Sequence, residues 1–305
     1  MKPGIYDGCP DTDYHSAPGV SSSILKEMGR SPAHCRAKRD GDRDKRTKAL
    51  DTGIILHCAV LEPERFAREY ALPPMRINYP NALATVEEMK SRCETEGLPK
   101  TGKKDDLMAR LREHDKHIEL WDDILAEYRE NKILLSEADM ELCQGVMASV
   151  AAHSKAMKAF QGGVAERTLV WEDEATGELC RARMDYYRED LGMIFDLKSC
   201  RDARHDPFQR DIPKYGYHIS AAMYLEGARA CGLKATGFAW LAIEKEPTYA
   251  IGLYMASAEM LMEGDDRFRE YLDLYHACSE TDSWPAYAEE FRTIELPAWA
   301  KSNQD

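Results

Sequence analysis

Two aspartates and a lysine flanking one turn are the residues of this chain best placed to do chemistry. Arg181-Ala182-Arg183-Met184-Asp185 leads into Glu189-Asp190-Leu191-Gly192, and Ile194-Phe195-Asp196-Leu197-Lys198 leads out. A tight hairpin centred between Asp190 and Leu191 pairs residues whose numbers sum to 381. Asp185 and Asp196 are then expected opposite one another, and Lys198 on the same face, because side chains alternate along a strand. Opposed Cβ atoms lie roughly 4.5–5.5 Å apart, where like charges repel. Two carboxylates at that spacing suit a divalent cation such as Mg²⁺, which takes oxygen ligands at about 2.0–2.1 Å. Such an ion polarises a phosphoryl oxygen and acidifies its bound water. Lys198 beside it would orient the attacking water or offset charge on phosphate. The alternative is an exposed hairpin with an ordinary Asp196–Lys198 salt bridge. The apolar run Met193-Ile194-Phe195 and the second aspartate in register favour the metal.

The elements that must hold this hairpin are read from spacing and turn signals. Residues 165 to 200 alternate as strands, with turns at Glu174-Ala175-Thr176-Gly177 and Glu189-Asp190-Leu191-Gly192. Upstream, the first 20 residues read as loop. A capped helix is expected at about Ile24 to Met28, and a short one from Ser31-Pro32. Residues 38 to 48 form a mixed charge run expected to be a solvated connection, and Ile54 to Leu61 a buried helix. Three prolines and two asparagines within 73 to 82 mark a linker. Short helices follow at about 85–96 and 103–114, and the pattern is helical throughout from Ile118 to Phe160. Beyond the hairpin a helix from about Tyr217 to Cys231, strands at 236–244 and 248–254, and a helix from about Ser257 to Cys278 are expected. This order predicts one α/β domain with a small helical insertion. The spans are 1–72, the N-terminal helical part; 73–117, the insertion; and 118–305, the core with its C-terminal helices.

Composition narrows the class. The chain is 305 residues long, 44% hydrophobic and 31% charged, as a folded globular protein is. No apolar run has the length to cross a bilayer, and the N-terminus lacks the apolar core of a signal peptide, so no membrane partner and a cytoplasmic location are expected. Nine cysteines contain no C-x-x-C pair, so neither zinc nor an iron–sulfur cluster is expected and the thiols read as reduced. The net charge of −13 weighs only mildly against nucleic acid, because phosphate contact depends on where the cations sit.

The hairpin resembles the active-site core of PD-(D/E)XK nucleases, with Asp185 as first acid and Asp196-Leu197-Lys198 as the D-x-K. Met184 stands where the class is named for proline. Further segments resemble the RecE-type exonucleases (exodeoxyribonuclease VIII-like) in the same order. Gly53-Ile54-Ile55-Leu56-His57 resembles the helix carrying a metal-binding histidine, although a lone histidine there is more often a core residue. Glu166, in Ala165-Glu166-Arg167, resembles an added metal-side carboxylate; otherwise it is a surface glutamate at a strand start. Tyr217 and Tyr224 lie two helical turns apart in a segment that resembles the helix after the core, although tyrosines at that spacing ordinarily pack. Ser220 departs from that family's glutamine.

The resemblance implies a restriction-endonuclease-like fold: a central mixed sheet flanked by helices. It implies one or two Mg²⁺ or Mn²⁺ ions held by His57, Glu166, Asp185, Asp196 and the Leu197 carbonyl, with Lys198 and Tyr224 as catalytic side chains. The implied activity is 5′ to 3′ exonucleolytic hydrolysis of linear double-stranded DNA with free ends, in phage-type recombination. A ring-shaped homo-oligomer and a single-strand annealing protein as partner are implied on the same ground.

The insertion has its own resemblance. Thr85-Val86-Glu87-Glu88-Met89 through Gly97-Leu98-Pro99 to Leu107-Met108-Ala109-Arg110-Leu111 is similar to a SAP motif, two short helices around a Gly-Leu-Pro turn that bind DNA. Met89, Leu98, Leu107 and Leu111 would form its core. Lys100, Lys103, Lys104 and Arg110 would meet phosphate. An amphipathic hairpin packed on the main domain is the alternative.

Overall fold

The computed structural model describes residues 1–41, 48–288 and 290–297. Residues 42–47 of the charge run and 298–305 of the last expected span lie outside the described residues.

Structure begins earlier than expected. Gly4–Tyr6 form strand β1 and Asp11–Ser16 form helix α1, in place of the expected loop. Three residues carry no period of their own; β1 exists because Gly4 to Tyr6 pair with Val170 to Thr168. Helix α2 (Ser22–Leu25) runs into a 3₁₀ turn, Lys26–Gly29. Helix α3 (Pro32–Asp40) has proline in its first turn and Ser31 as cap. Helices α4 (Lys48–Leu61) and α5 (Pro63–Glu69) lead to a short strand, β2 (Tyr70–Ala71).

The two expected helices of the insertion are α6 (Val86–Thr95) and α7 (Lys104–His114). A capping box starts α6: Thr85 accepts from the Glu88 backbone, and Glu88 accepts from the Ala84 and Thr85 amides at 2.6 and 3.0 Å. Met89, Leu107 and Leu111 are buried in one cluster with Cys93, Met108 and Leu120, and Leu98 packs against it. The Leu83 amide donates to Glu119 and the Trp121 amide to Leu83, which ties the two ends of the segment together.

The continuous helical pattern from Ile118 to Phe160 is corrected by the structure. It divides into α8 (Trp121–Asn131), strand β3 (Ile133–Leu134), α9 (Glu137–Ala152) and α10 (Ser154–Ala159). Leu and Met keep helical spacing across the breaks, but local caps interrupt it. Ser136 accepts from the Asp139 amide and His153 from the Ala156 amide. Strand β3 is held by parallel pairing with β2, a contact from 63 residues away.

The remaining strands are β4 (Val164–Glu172), β5 (Leu179–Arg188) and β6 (Met193–Cys200). Two helices follow: α11 (His205–Tyr215), which the sequence reading did not include, and α12 (Tyr217–Ala230). Gly216 joins them at φ 62°, a left-handed conformation suited to glycine. Strands β7 (Gly237–Glu244) and β8 (Ile251–Met255) and helix α13 (Ala258–Thr281) complete the chain.

The sheet order is β1-β4-β5-β6-β7-β8, antiparallel except for β6 with β7. That parallel pair needs a crossover, which α11 and α12 supply. One core layer packs α12, α13 and the N-terminal segment on one face of the sheet. The other packs α4, α5 and α9 on the opposite face. This is the expected mixed α/β architecture with a small helical insertion. No helix among the described residues is long and apolar enough to cross a membrane. All nine cysteines are free thiols.

Candidate active site

The site forms where three neighbouring strands stop behaving as a regular sheet. The β5–β6 hairpin has the expected register: Tyr186 opposes Phe195, Tyr187 opposes Ile194 and Arg188 opposes Met193. The next row would be Asp185 against Asp196, and there the ladder ends. The Asp185 carboxylate instead accepts the Leu197 backbone amide at 2.8 Å. Nearer its start, β5 pairs with the N-terminal segment, as the Val20 amide donates to Leu179 and the Arg181 amide to Val20.

The same row is irregular on the other side. Ala165 pairs with Tyr186 and Arg167 with Met184, which leaves Glu166 facing Asp185 outside the ladder. Glu166 has φ 50°, a left-handed conformation that costs a non-glycine residue about 1–2 kcal/mol. Both strands change face at this row. On β4, Leu169 and Trp171 pack into the α12 layer, whereas Ala165, an even number of residues away, packs into the α4 layer. On β5, Met184 and Tyr187 share the α12 layer despite their odd spacing. Glu166, Asp185 and Asp196 thus fall in one row across β4, β5 and β6, and the first two turn toward α4.

Helix α4 supplies the fourth group. Its Leu56, Cys58 and Ala59 are buried under the sheet, which aims His57 at the row. His57 Nδ1 lies 3.4 Å from Asp185 Oδ2 and 3.9 Å from Glu166 Oε1. One donor atom each from His57, Glu166 and Asp185 lies within 4.8 Å of the others. Burial pushes the imidazole pKa down, but Asp185 and Glu166 outweigh it and leave the value raised. An imidazole nitrogen with two carboxylates at this spacing fits a divalent cation that favours oxygen ligands.

Asp196 and Lys198 stand on the other side of Asp185. Their side chains form a buried ion pair, and the Lys198 ammonium is also 4.0 Å from Asp185 Oδ2. Burial raises the Asp196 pKa to about 6, with Lys198 opposing the rise and Asp185 adding to it. For Lys198 burial is outweighed by Asp196 and Asp185, which hold the amine protonated. Lys198 also donates to the Leu197 carbonyl at 3.3 Å.

Helix α12 presents residues 217, 220 and 224 toward this group. Lys198 Nζ lies 5.5 Å from the Tyr217 ring centroid. Tyr224 lines a cavity of about 310 Å³ with Asp11, Tyr14, His57, Glu166 and Asp185. Burial holds its phenol pKa well above the ordinary value, with nearby acids adding to the rise. Ser220 accepts a hydrogen bond from Lys26 at 3.2 Å.

Lys26 was missed in the sequence, as were Asp11 and Tyr14 of α1. Lys26 Nζ also donates to the Tyr215 carbonyl at 3.1 Å, and its stem crosses Gly216, where an added Cβ would lie 2.6 Å from Lys26 Cδ. Burial and then Lys198 lower its pKa to about 8, against the pull of Asp196. The available signal was its place three residues after the Ser21-Ser22-Ser23 run that caps α2.

The four cations expected to meet DNA lie on the insertion, and none of them lines the acid-lined cavity. Lys100 pairs with Glu94 at 2.7 Å and Lys104 with Asp122 at 2.7 Å. Arg110 braces the turn through the Pro99 and Thr101 carbonyls. Lys103 is exposed.

Comparison with known proteins agrees with this fold. A solved structure from Eubacterium rectale, provisionally described as an exonuclease, aligns over 94% of this chain and 95% of its own at 16% identity, with a TM-score of 0.57. At that identity the likeness shows the fold. The protein named SSO0001 aligns over 73% of this chain and 88% of its own at 12% identity, but its TM-score of 0.27 carries no argument. No curated protein matches the sequence. The family described as "PDDEXK-like domain of unknown function (DUF3799)" matches residues 21–297, nearly the whole described fold, and the chain belongs to that family.

Proposed function

We propose that this protein is a metal-dependent DNA exonuclease of the RecE type, hydrolysing phosphodiester bonds at the ends of linear double-stranded DNA. The observation that carries the reading is the single row of Glu166, Asp185 and Asp196, with His57 above it and Lys198 beside it. The E. rectale neighbour's description as an exonuclease supports the choice among nuclease activities. Digestion from 5′ to 3′, a ring-shaped homo-oligomer and a single-strand annealing partner in phage-type recombination follow from the RecE-type resemblance. The reading of the insertion as a grip on the duplex rests on its own resemblance, to a SAP motif.

His57, Glu166 and Asp185, with Asp196 and the Leu197 carbonyl, would hold one or two Mg²⁺ or Mn²⁺ ions. Such ions supply Lewis-acid polarisation of a phosphoryl oxygen and a water of lowered pKa. Lys198 stays charged between its two acids, so it donates to a phosphate oxygen or to the attacking water and does not accept a proton. Asp185 is fixed by the Leu197 amide, so its carboxylate direction is set before substrate arrives. Tyr224 stays a neutral phenol and serves as a hydrogen-bond donor on the cavity wall.

The test is incubation with Mg²⁺ and linear duplex labelled at its 5′ or 3′ end, alongside closed circular DNA, EDTA and the Asp196→Ala protein. Loss of linear DNA, with circles spared and both controls silent, is the expected result. Cut circles would move the activity to an endonuclease. DNA binding without cleavage in Mg²⁺ or Mn²⁺ would make the chain a binding scaffold.

A further inference from the structure

A second cleft opens next to the D-x-K lysine, between the end of β6 and α11. Its volume is about 540 Å³, and Arg201, Arg210, Lys214 and Lys245 line it. Two acids, Asp202 and Asp211, line it as well. Asp202 is taken by Arg204 at 2.6 Å, and Asp211 lies 3.7 Å from Lys214. Among the described residues no ion pair engages Arg201, Arg210 or Lys245, and all three are exposed. In a chain of net charge −13 this is a local surplus of cations.

The cleft joins the candidate active site through a stack of rings. The Lys198 ammonium faces Tyr217, and Tyr217 lines the cleft. Tyr217 stacks on Tyr215 with centroids 5.5 Å apart and planes at 28°. Lys214 covers the Tyr215 ring at 4.6 Å. Tyr215 is 46% exposed, and a base would reach its ring by displacing the flexible Lys214 side chain.

Cations that track a backbone, with an aromatic face for a base, are the chemistry of single-strand recognition. A duplex keeps its bases stacked on one another and offers no face to Tyr215. We propose that this cleft binds a single strand of DNA, with Arg201, Arg210, Lys214 and Lys245 on its phosphates and a base on Tyr215. The proposal takes from the nuclease reading only that the substrate is DNA. The strand would run out of the cleft past Tyr217 toward Lys198.

The test uses the full chain in EDTA, so that binding is measured without cleavage, and a fluorescein-labelled 12-nucleotide oligo-dT. Anisotropy titrations at several salt concentrations would compare wild type with Tyr215→Ala, the double variant Arg201→Glu/Arg210→Glu, and Lys155→Glu, an exposed residue of α10 outside the cleft. Each lost phosphate contact lowers the salt slope by about 0.7 for a single strand, so the double variant should lose about 1.4. Tyr215→Ala should weaken binding about 5- to 100-fold, and Lys155→Glu should leave it unchanged. All substituted side chains are exposed, and equal melting temperatures would confirm intact folds. Unchanged oligo-dT binding in both cleft variants would overturn the proposal even if the wild type cleaves DNA. Preference for duplex through the same residues would overturn it too. Binding that depends on the cleft in a protein that cleaves nothing would uphold the cleft and remove the nuclease reading alone.

Discussion

The Lys26 ammonium donates to the Ser220 hydroxyl across 3.2 Å, tying the N-terminal segment to α12. A short hydroxyl on α12 thus serves to hold a lysine from the N-terminal segment near Asp196 and Lys198. Lys26 has an ordinary pKa of 10.5 and is held at about 8 in the fold. Below about 8 the buried ammonium is carried at a cost. Between about 8 and 10.5 the folded chain has released a proton that the unfolded chain keeps, so this group makes stability rise with pH. The stability difference between wild type and Lys26→Met should therefore grow in favour of wild type across that window. Urea melts at pH 7 to 10.5 read it directly, and a flat difference would contradict the burial of this amine. Ser220→Ala should cost about 1 kcal/mol and move the start of the window below 8.

Glu166 separates fold from function at one position. Its left-handed backbone suits glycine, so Glu166→Gly should be more stable than Glu166→Ala by about 1 kcal/mol. Both variants should lose metal binding. With Mn²⁺ at a hundred times its Kd the wild type should gain about 2.7 kcal/mol, and neither Glu166 variant, His57→Ala nor Asp185→Ala should gain as much. Thermal melts with and without Mn²⁺ measure both effects. Equal stability of the glycine and alanine variants would show that the backbone at residue 166 carries no strain.

Lys198→Met should lower kcat about 10²- to 10³-fold, the usual loss on removing one preorganised charge donor. It also leaves Asp196 buried without its main partner. In the wild type Asp196 has a folded pKa of about 6 against 3.8 in the unfolded chain. Its contribution is present below about 3.8 and lost as pH rises through 6. Without Lys198 the folded value climbs further, so the stability deficit of the variant should widen between pH 5 and 8. Denaturant melts in EDTA over that range would show it. A deficit that narrows with pH would mean that Lys198 does not compensate Asp196.

The insertion has an acid-sensitive clasp. Two backbone amides, then Arg76, hold the Glu88 carboxyl down at about 2. A depressed carboxylate contributes stability above its unfolded value of about 4.5 and loses it as pH falls through 2. Hydrogen-exchange protection, corrected for the intrinsic rate at each pH, should therefore fall in α6 and α7 between pH 4.5 and 2 before it does in the sheet. Glu88→Gln, which lacks the charge, should weaken the cap by about 1 kcal/mol and remove this pH dependence.

The hairpin register, the two helices of the insertion and the residues that gather around Asp185 were legible in the sequence. The first two rest on a local period or on turn chemistry, and His57 and Glu166 on the family resemblance alone. What escaped reading depends on partners far along the chain. Strand β1 is defined by β4, and the break at Ile133 by β2. The face change at Glu166 is a backbone conformation that no residue type announced. Because of that change, strict alternation placed Asp185 and Asp196 as one chelating pair, whereas the fold turns Asp185 toward His57 and leaves Asp196 with Lys198. Lys26 was invisible for the same reason, since its partner is 194 residues away.

The pairing of Val20 with Leu179 and Arg181 also orders events in time. A chain being synthesised holds Val20 for about 160 residues before β5 exists to receive it. His57 waits nearly as long for Asp185. Contacts of such separation close late in folding, after the local helices have formed. A partly made chain therefore has no assembled acid row, and the site comes into being only after about two thirds of the molecule has been made.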